Sequence, residues 1–138
     1  MERSSMTVAR ALNVLVLTVL SALTGCAGSG GDEGFEVKGR LTQDGQPIQV
    51  SDQGTLALNF YEVTDAGKVG MNSYPGHTTK DGTFTATLPA GKYQVAVEQL
   101  DPDKDKLGGK FSGSNSPVTV QISGPEESLE IDLSAAKK

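Results

Sequence analysis

From residue 35 onward the chain alternates apolar and polar positions with a period of two, the mark of strands with one buried face. In Phe35-Glu36-Val37-Lys38-Gly39-Arg40-Leu41-Thr42 the odd positions are apolar or Gly and the even ones polar. Gln43-Asp44-Gly45-Gln46 then supplies an Asp-Gly turn. Leu56, Leu58 and Phe60 alternate with Ala57, Asn59 and Tyr61, and Thr64-Asp65-Ala66-Gly67-Lys68 makes a further turn. A sharper unit follows. Thr79-Lys80-Asp81-Gly82 turns into Thr83–Leu88, with Phe84, Ala86 and Leu88 facing a core and three threonines facing water. Pro89-Ala90-Gly91 ends that strand, and Lys92–Glu98 begins the next, with Tyr93, Val95 and Val97 inward. Val118–Ile122 and Leu129–Leu133 alternate in the same way. No segment after residue 34 sustains a 3.6-residue apolar period. Six or seven strands in roughly 100 residues predict an all-β fold, a β-sandwich.

The first 26 residues follow another logic. Arg3 and Arg10 give a positive start, and Ala11–Leu23 is an apolar run of 13 residues. That is short of the roughly 20 residues a membrane-spanning helix needs and fits the apolar stretch of a helical secretory signal peptide. Leu23-Thr24-Gly25-Cys26 follows at once and resembles a bacterial lipobox. The resemblance implies cleavage after Gly25 and lipidation of Cys26 (diacylglycerol thioether and palmitate-type acyl chains), which would hold the protein to a membrane. An ordinary signal peptide with a chance Cys, or a core cysteine, are the alternatives. Acyl anchoring contributes about 0.8 kcal/mol per buried CH₂, so two or three chains on one residue hold where one is marginal. Ala27–Gly34 has four glycines and no large apolar residue. It reads as a flexible tether reaching about 15 Å. Ala27, rather than Asp, after the cysteine leans towards the outer membrane by analogy.

Composition narrows the partners. The 138 residues carry 12 Lys+Arg, 17 Asp+Glu, one His and one Cys. The net charge of −5 argues against nucleic acid, whose phosphates call for a basic surface. A single Cys excludes an intramolecular disulfide framework. It also leaves no thiol beyond Cys26 for a metal or a nucleophile.

Two stretches resemble the carboxypeptidase regulatory-like and transthyretin-like (prealbumin-like) domains. One is Thr79-Lys80-Asp81-Gly82-Thr83-Phe84 followed by Leu88-Pro89-Ala90-Gly91-Lys92-Tyr93-Gln94-Val95. The other is Val37–Thr42 with Asp44-Gly45-Gln46-Pro47-Ile48. The resemblance implies a seven-stranded antiparallel Greek-key β-sandwich over residues 35–133. A signal peptide at 1–25, a lipidated tether at 26–34 and a tail at 134–138 complete the division. A lipobox joined to one such domain resembles the small lipoproteins of planctomycete-like bacteria. The related hydroxyisourate hydrolases use several histidines, an arginine and a C-terminal Tyr-Arg-Gly-Ser, whereas this chain ends Ser134-Ala135-Ala136-Lys137-Lys138. A hydrolase is the least favoured reading.

Candidate sites are few. Asp101, Asp103 and Asp105 are spaced like the first ligands of a calcium loop, but Lys106 and Ser112 stand where that loop needs Gly and Glu. A solvated inter-strand loop is the better reading, with a calcium-stabilised adhesion module as the alternative. Leu100–Pro117 reads as a long, flexible or ligand-recognising loop. Candidate recognition residues are Phe111 in that loop and Tyr74 and His77 in the Tyr74–His77 segment, which is also read as a loop, with a merely solvated His77 as the plainer reading. No serine sits in a nucleophile-elbow context. The expectation is a non-catalytic envelope lipoprotein without cofactor, presenting a β module to an envelope protein or a glycan.

Overall fold

The computed structural model describes residues 33–136. The segment read as a signal peptide, Cys26, most of the segment read as a tether, and Lys137 and Lys138 lie outside the described residues. Those described are all-β: seven longer strands and one of two residues, with two short 3₁₀ turns. The strands are β1 (Phe35–Gln43), β2 (Gln46–Pro47), β3 (Thr55–Val63), β4 (Val69–Thr78), β5 (Thr83–Leu88), β6 (Gly91–Leu100), β7 (Thr119–Ile122) and β8 (Glu126–Asp132). They form one path, β2-β1-β5-β4-β3-β6-β7, with β8 on the other edge of β1.

The sheet is sharply curled, and the connection from β7 to β8 shows how far. Only Ser123-Gly124-Pro125 separate the two strands, a length of chain that spans at most roughly 14 Å from Ile122 to Glu126. Yet β7 ends the path beside β6, while β8 lies beside β1. The two margins must therefore approach each other. After the reversal β8 runs parallel to β1, from Val37↔Glu126 to Thr42↔Asp132 with a bulge after Val37. That pairing departs from the antiparallel order expected throughout. β4 makes the bend on the other side: Val69–Gly76 pair with β3, and only His77 and Thr78 pair with β5.

The inward positions read from the alternation form the core. Val37, Leu41, Leu56, Leu58, Phe60, Phe84, Ala86, Leu88, Tyr93, Val95 and Val97 are all buried. Tyr93 sits at the centre of an aromatic chain, edge-on to both Phe60 (6.4 Å) and Tyr74 (5.8 Å), and Phe60 also meets Phe84 at 5.9 Å. Its hydroxyl donates to the Pro89 carbonyl at 2.7 Å, so burying the ring strands no polar atom.

Two turns explain why the family-like motifs carry glycine. Asp44 and Gly45 both adopt positive φ, 52° and 77°, the geometry of a two-residue hairpin turn. Gly82 (φ 83°) lies so close to the Ile48 carbonyl that a Cβ would come within 2.7 Å of its oxygen. Gly82 accordingly meets both a steric and a conformational demand.

Leu100–Pro117 is not the open loop expected from its polar composition. Leu107, Phe111 and Ser116 are buried, and Phe111 is only 2% exposed. The segment runs beside β6, whose Val97 and Val95 amides donate to the Phe111 and Val118 carbonyls at 2.8 and 2.9 Å. Two apolar residues in an otherwise polar stretch dock it, together with these backbone bonds.

Candidate functional site

β1, β5 and β4 lie side by side, and their register aligns the outward side chains in rows. Lys38 pairs with Thr85, and Thr85 with His77; two residues along, Arg40 pairs with Thr83. Adjacent strands lie about 4.8 Å apart and alternate residues of one strand about 6.7 Å. His77, Lys38 and Arg40 thus occupy one patch, with threonine hydroxyls between them. A groove of about 480 Å³ opens there, lined by Lys38, Arg40, His77, Thr83, Thr85 and Glu127 around the backbone of Gly39. A second concavity of about 330 Å³ adjoins it on the other side of His77 and Thr85, where β4 leaves β5 to join β3. Tyr74 and Pro75 border that opening.

Gly39 fits the close approach of β8. A Cβ on it would lie 2.1 Å from the Leu129 carbonyl oxygen and 2.6 Å from the Phe84 ring. The strand can pass between β8 and the core ring only without a side chain.

The charges of the groove differ in how they are compensated. Lys38 contacts Glu36 at 3.1 Å and Glu127 at 3.4 Å. The hydrogen bond that Lys38 donates to Glu36, reinforced by the charge of Glu127, raises the lysine above its ordinary value. Arg40, exposed, makes no ion pair among the described residues. It is also their only arginine, and His77 is the only histidine of the chain. At the far end of the groove Asp81 organises the Thr79–Thr83 turn. Its carboxylate accepts from the Thr83 amide at 3.2 Å, the Thr83 hydroxyl at 2.9 Å and the Thr79 hydroxyl. These bonds, the one from Thr79 foremost, pull Asp81 down to about 2.

The residues singled out from the sequence have separate fates. His77 lies at the meeting point of the two concavities, on β4 rather than on a loop. Tyr74 is half-buried on the same strand, its ring against Tyr93. The reading of Tyr74–His77 as a loop is corrected: Pro75 and Gly76 suggested a break, but they pair with Asn59 and Leu58 of β3. Phe111 is a core residue and offers nothing to a ligand.

Asp101, Asp103 and Asp105 do not converge either. Asp105 spends both oxygens on backbone amides, those of Gln99 (3.1 Å), Leu107 (3.0 Å) and Gly109 (2.7 Å). Asp101 accepts from the Ser51 hydroxyl at 2.7 Å. Among the described residues no three His, Cys, Asp or Glu side chains gather as a metal would require. Sequence reading missed Arg40, Lys38 and Thr85 because each is an ordinary outward residue of its strand. Only the register brings them together.

The chain matches no protein-family model and no curated protein sequence. Among solved structures it is similar to a DUF3823 family protein from Parabacteroides merdae, at 22% identity and a TM-score of 0.46, over 73% of this chain and 46% of that one. A DUF3823 family protein from Bacteroides ovatus gives 21% identity and a TM-score of 0.45, over 72% and 44%. A leucine-rich repeat protein from Bacteroides thetaiotaomicron gives 14% and 0.43, over 76% and 12%. The chain spans less than half the length of each.

Proposed function

We propose that this protein is a lipid-anchored component of the cell envelope that displays a non-catalytic β module for binding. The observation that carries the reading is the order of parts at the N-terminus. A lipobox-like Leu23-Thr24-Gly25-Cys26 is followed by eight small or acidic residues and then by Phe35, where β1 starts. A lipidated Cys26 on such a tether leaves the sheet free to sample the space beside the membrane. The direction of β1 fits that arrangement: Arg40 lies five residues beyond Phe35, roughly 17 Å further from the anchored end. The curled sheet is read here as a variant of the transthyretin-like Greek-key sandwich. Support comes from the family-like motifs, which supply its Thr79–Gly82 turn between β4 and β5 and the short Pro89-Ala90 link that carries the chain from β5 to β6. The outer membrane is the favoured address, since Ala27 follows the cysteine.

Acyl labelling and detergent-phase partitioning of the full chain against Cys26→Ser test the anchor. Wild type should take the label and enter the detergent phase, and the variant should do neither. Unchanged retention of Cys26→Ser would overturn the proposal.

A further inference from the structure

The groove over β1, β5 and β4 combines four features that point to one class of ligand. Its uncompensated cation is Arg40, whose planar fork suits a carboxylate or phosphate. Lys38 is already shared between Glu36 and Glu127, so the groove presents about one free positive charge. That matches a monoanion better than a phosphate dianion, which would also face Glu127 at the rim. Two hydroxyls that line the groove, those of Thr85 and Ser128, have no partner among the described residues. Thr78, Thr79 and Thr83 are committed to the Leu56 carbonyl and the Asp81 turn. His77 is exposed beside Thr85 with both ring nitrogens available. The floor between these side chains is the backbone of Gly39 and Phe84. The cavity volume of about 480 Å³ lies in the range of small-ligand sites and suits one or two sugar rings.

We propose that this groove binds a carboxylated saccharide, an acidic sugar unit of a polysaccharide. Arg40 takes the carboxylate, Thr85 and Ser128 exchange hydrogen bonds with ring hydroxyls, and His77 covers the sugar where the groove meets the opening beside Tyr74. An acidic peptide would offer the carboxylate and backbone amides but no row of ring hydroxyls, and it is the competitor the test sets against the sugar. The chain's net charge of −5 makes the rest of the surface repel such a ligand, which confines binding to this spot. The inference deepens the binding reading above and is independent of the anchor.

The test titrates the full chain in detergent micelles with oligogalacturonate, using calorimetry and amide chemical-shift mapping. Three comparison probes are a neutral oligogalactoside of equal length, a Glu-rich peptide and inorganic phosphate. Saturable binding of oligogalacturonate is expected, with shifts centred on Lys38, Arg40, His77 and Thr85 and a far weaker response to the others. Arg40→Gln should weaken it at least about tenfold, as expected for a charged hydrogen-bonded contact. Thr85→Val should weaken it about threefold, and Lys104→Gln, on the distant β6–β7 segment, should not change it. Arg40→Lys keeps the charge without the fork, and should recover only part of the loss. Equal binding of the neutral sugar, preference for the peptide or for phosphate, shifts centred elsewhere, or no saturation at millimolar probe would each overturn the proposal. Membrane release of Cys26→Ser together with absent sugar binding would leave the anchor standing and remove the ligand. Retained sugar binding with no acyl label would do the opposite.

Discussion

Two aspartates, Asp81 and Asp105, each gather three hydrogen bonds from their surroundings, and they do different work. Asp81 bonds only to residues two positions away, Thr79 and Thr83. It shapes an exposed turn that Gly82 already permits. Asp105 reaches back six residues to Gln99 at the end of β6, and forward to Leu107 and Gly109. It fastens a long segment to the strand, and that segment carries Leu107 and Phe111 into the core. The same chemical group is a local ornament in one place and a clasp in the other. What separates them is the apolar surface that each set of bonds holds in position.

The comparison predicts an order of effects. Phe111→Ala removes what the clasp secures and should destabilise by about 3–5 kcal/mol in a urea titration. Ordinary denaturation behaviour with a loss under about 1 kcal/mol would mean that the segment is not part of the core. Asp105→Ala comes next. It leaves three amides without their acceptor and should cost about 2–3 kcal/mol, with amide exchange near Gln99, Leu107 and Gly109 accelerated first. Gly82→Ala should cost about 1–2 kcal/mol through its positive φ alone, and more because the Ile48 carbonyl must move.

Asp81→Asn should have the smallest effect at neutral pH, and its signature lies in acid. The folded-state pKa of Asp81 is lowered to about 2 from an ordinary 3.8. Its contribution is therefore complete above about pH 4 and is lost as pH falls towards 2. Thermal melts of wild type should drop through that window more steeply than those of Asp81→Asn, and identical slopes would show that the turn bonds carry no linkage. Asp132, lowered by the Ser134 hydroxyl, adds a loss of the same sign in acid. Lys38 behaves oppositely: raised by Glu36 and Glu127, its pairings are intact below its ordinary value of 10.5 and lost as pH climbs past the raised one.

The strands whose alternation is regular were legible before any coordinates. Phe84, Ala86 and Leu88, or Tyr93, Val95 and Val97, declare their inward face because each polar neighbour is exposed to solvent or to a second covering layer. β4 was illegible for a physical reason. Val69-Gly70-Met71-Asn72-Ser73-Tyr74-Pro75-Gly76 has no apolar alternation, because Met71 is fully exposed, Val69 is 41% exposed and Gly76 takes an inward position. A Cβ on Gly76 would press within 2.6 Å of Leu58. The Leu107–Phe111 segment hid its burial in the opposite way, by spacing its two apolar residues among glycines and lysines. The groove was hidden as well, since Lys38, Arg40, Thr85 and His77 come from three strands and only their register makes them neighbours.

The short β7–β8 turn has a bearing on how the domain comes into being. By returning the chain to β1, it makes the first strand depend on the last: Val37 meets Glu126, and Leu41 meets Ile131. Such pairs close loops of about ninety residues, and non-local pairing of this kind slows folding because closure entropy is spent before contacts repay it. Hairpins such as β3–β4 and β4–β5 can form while the chain is incomplete. β1 cannot acquire its second neighbour until Ile131 exists outside whatever machinery delivers it. A chain emerging N-terminus first therefore keeps β1 half-paired until β8 has followed it, and that open margin is the last part of the sheet to close.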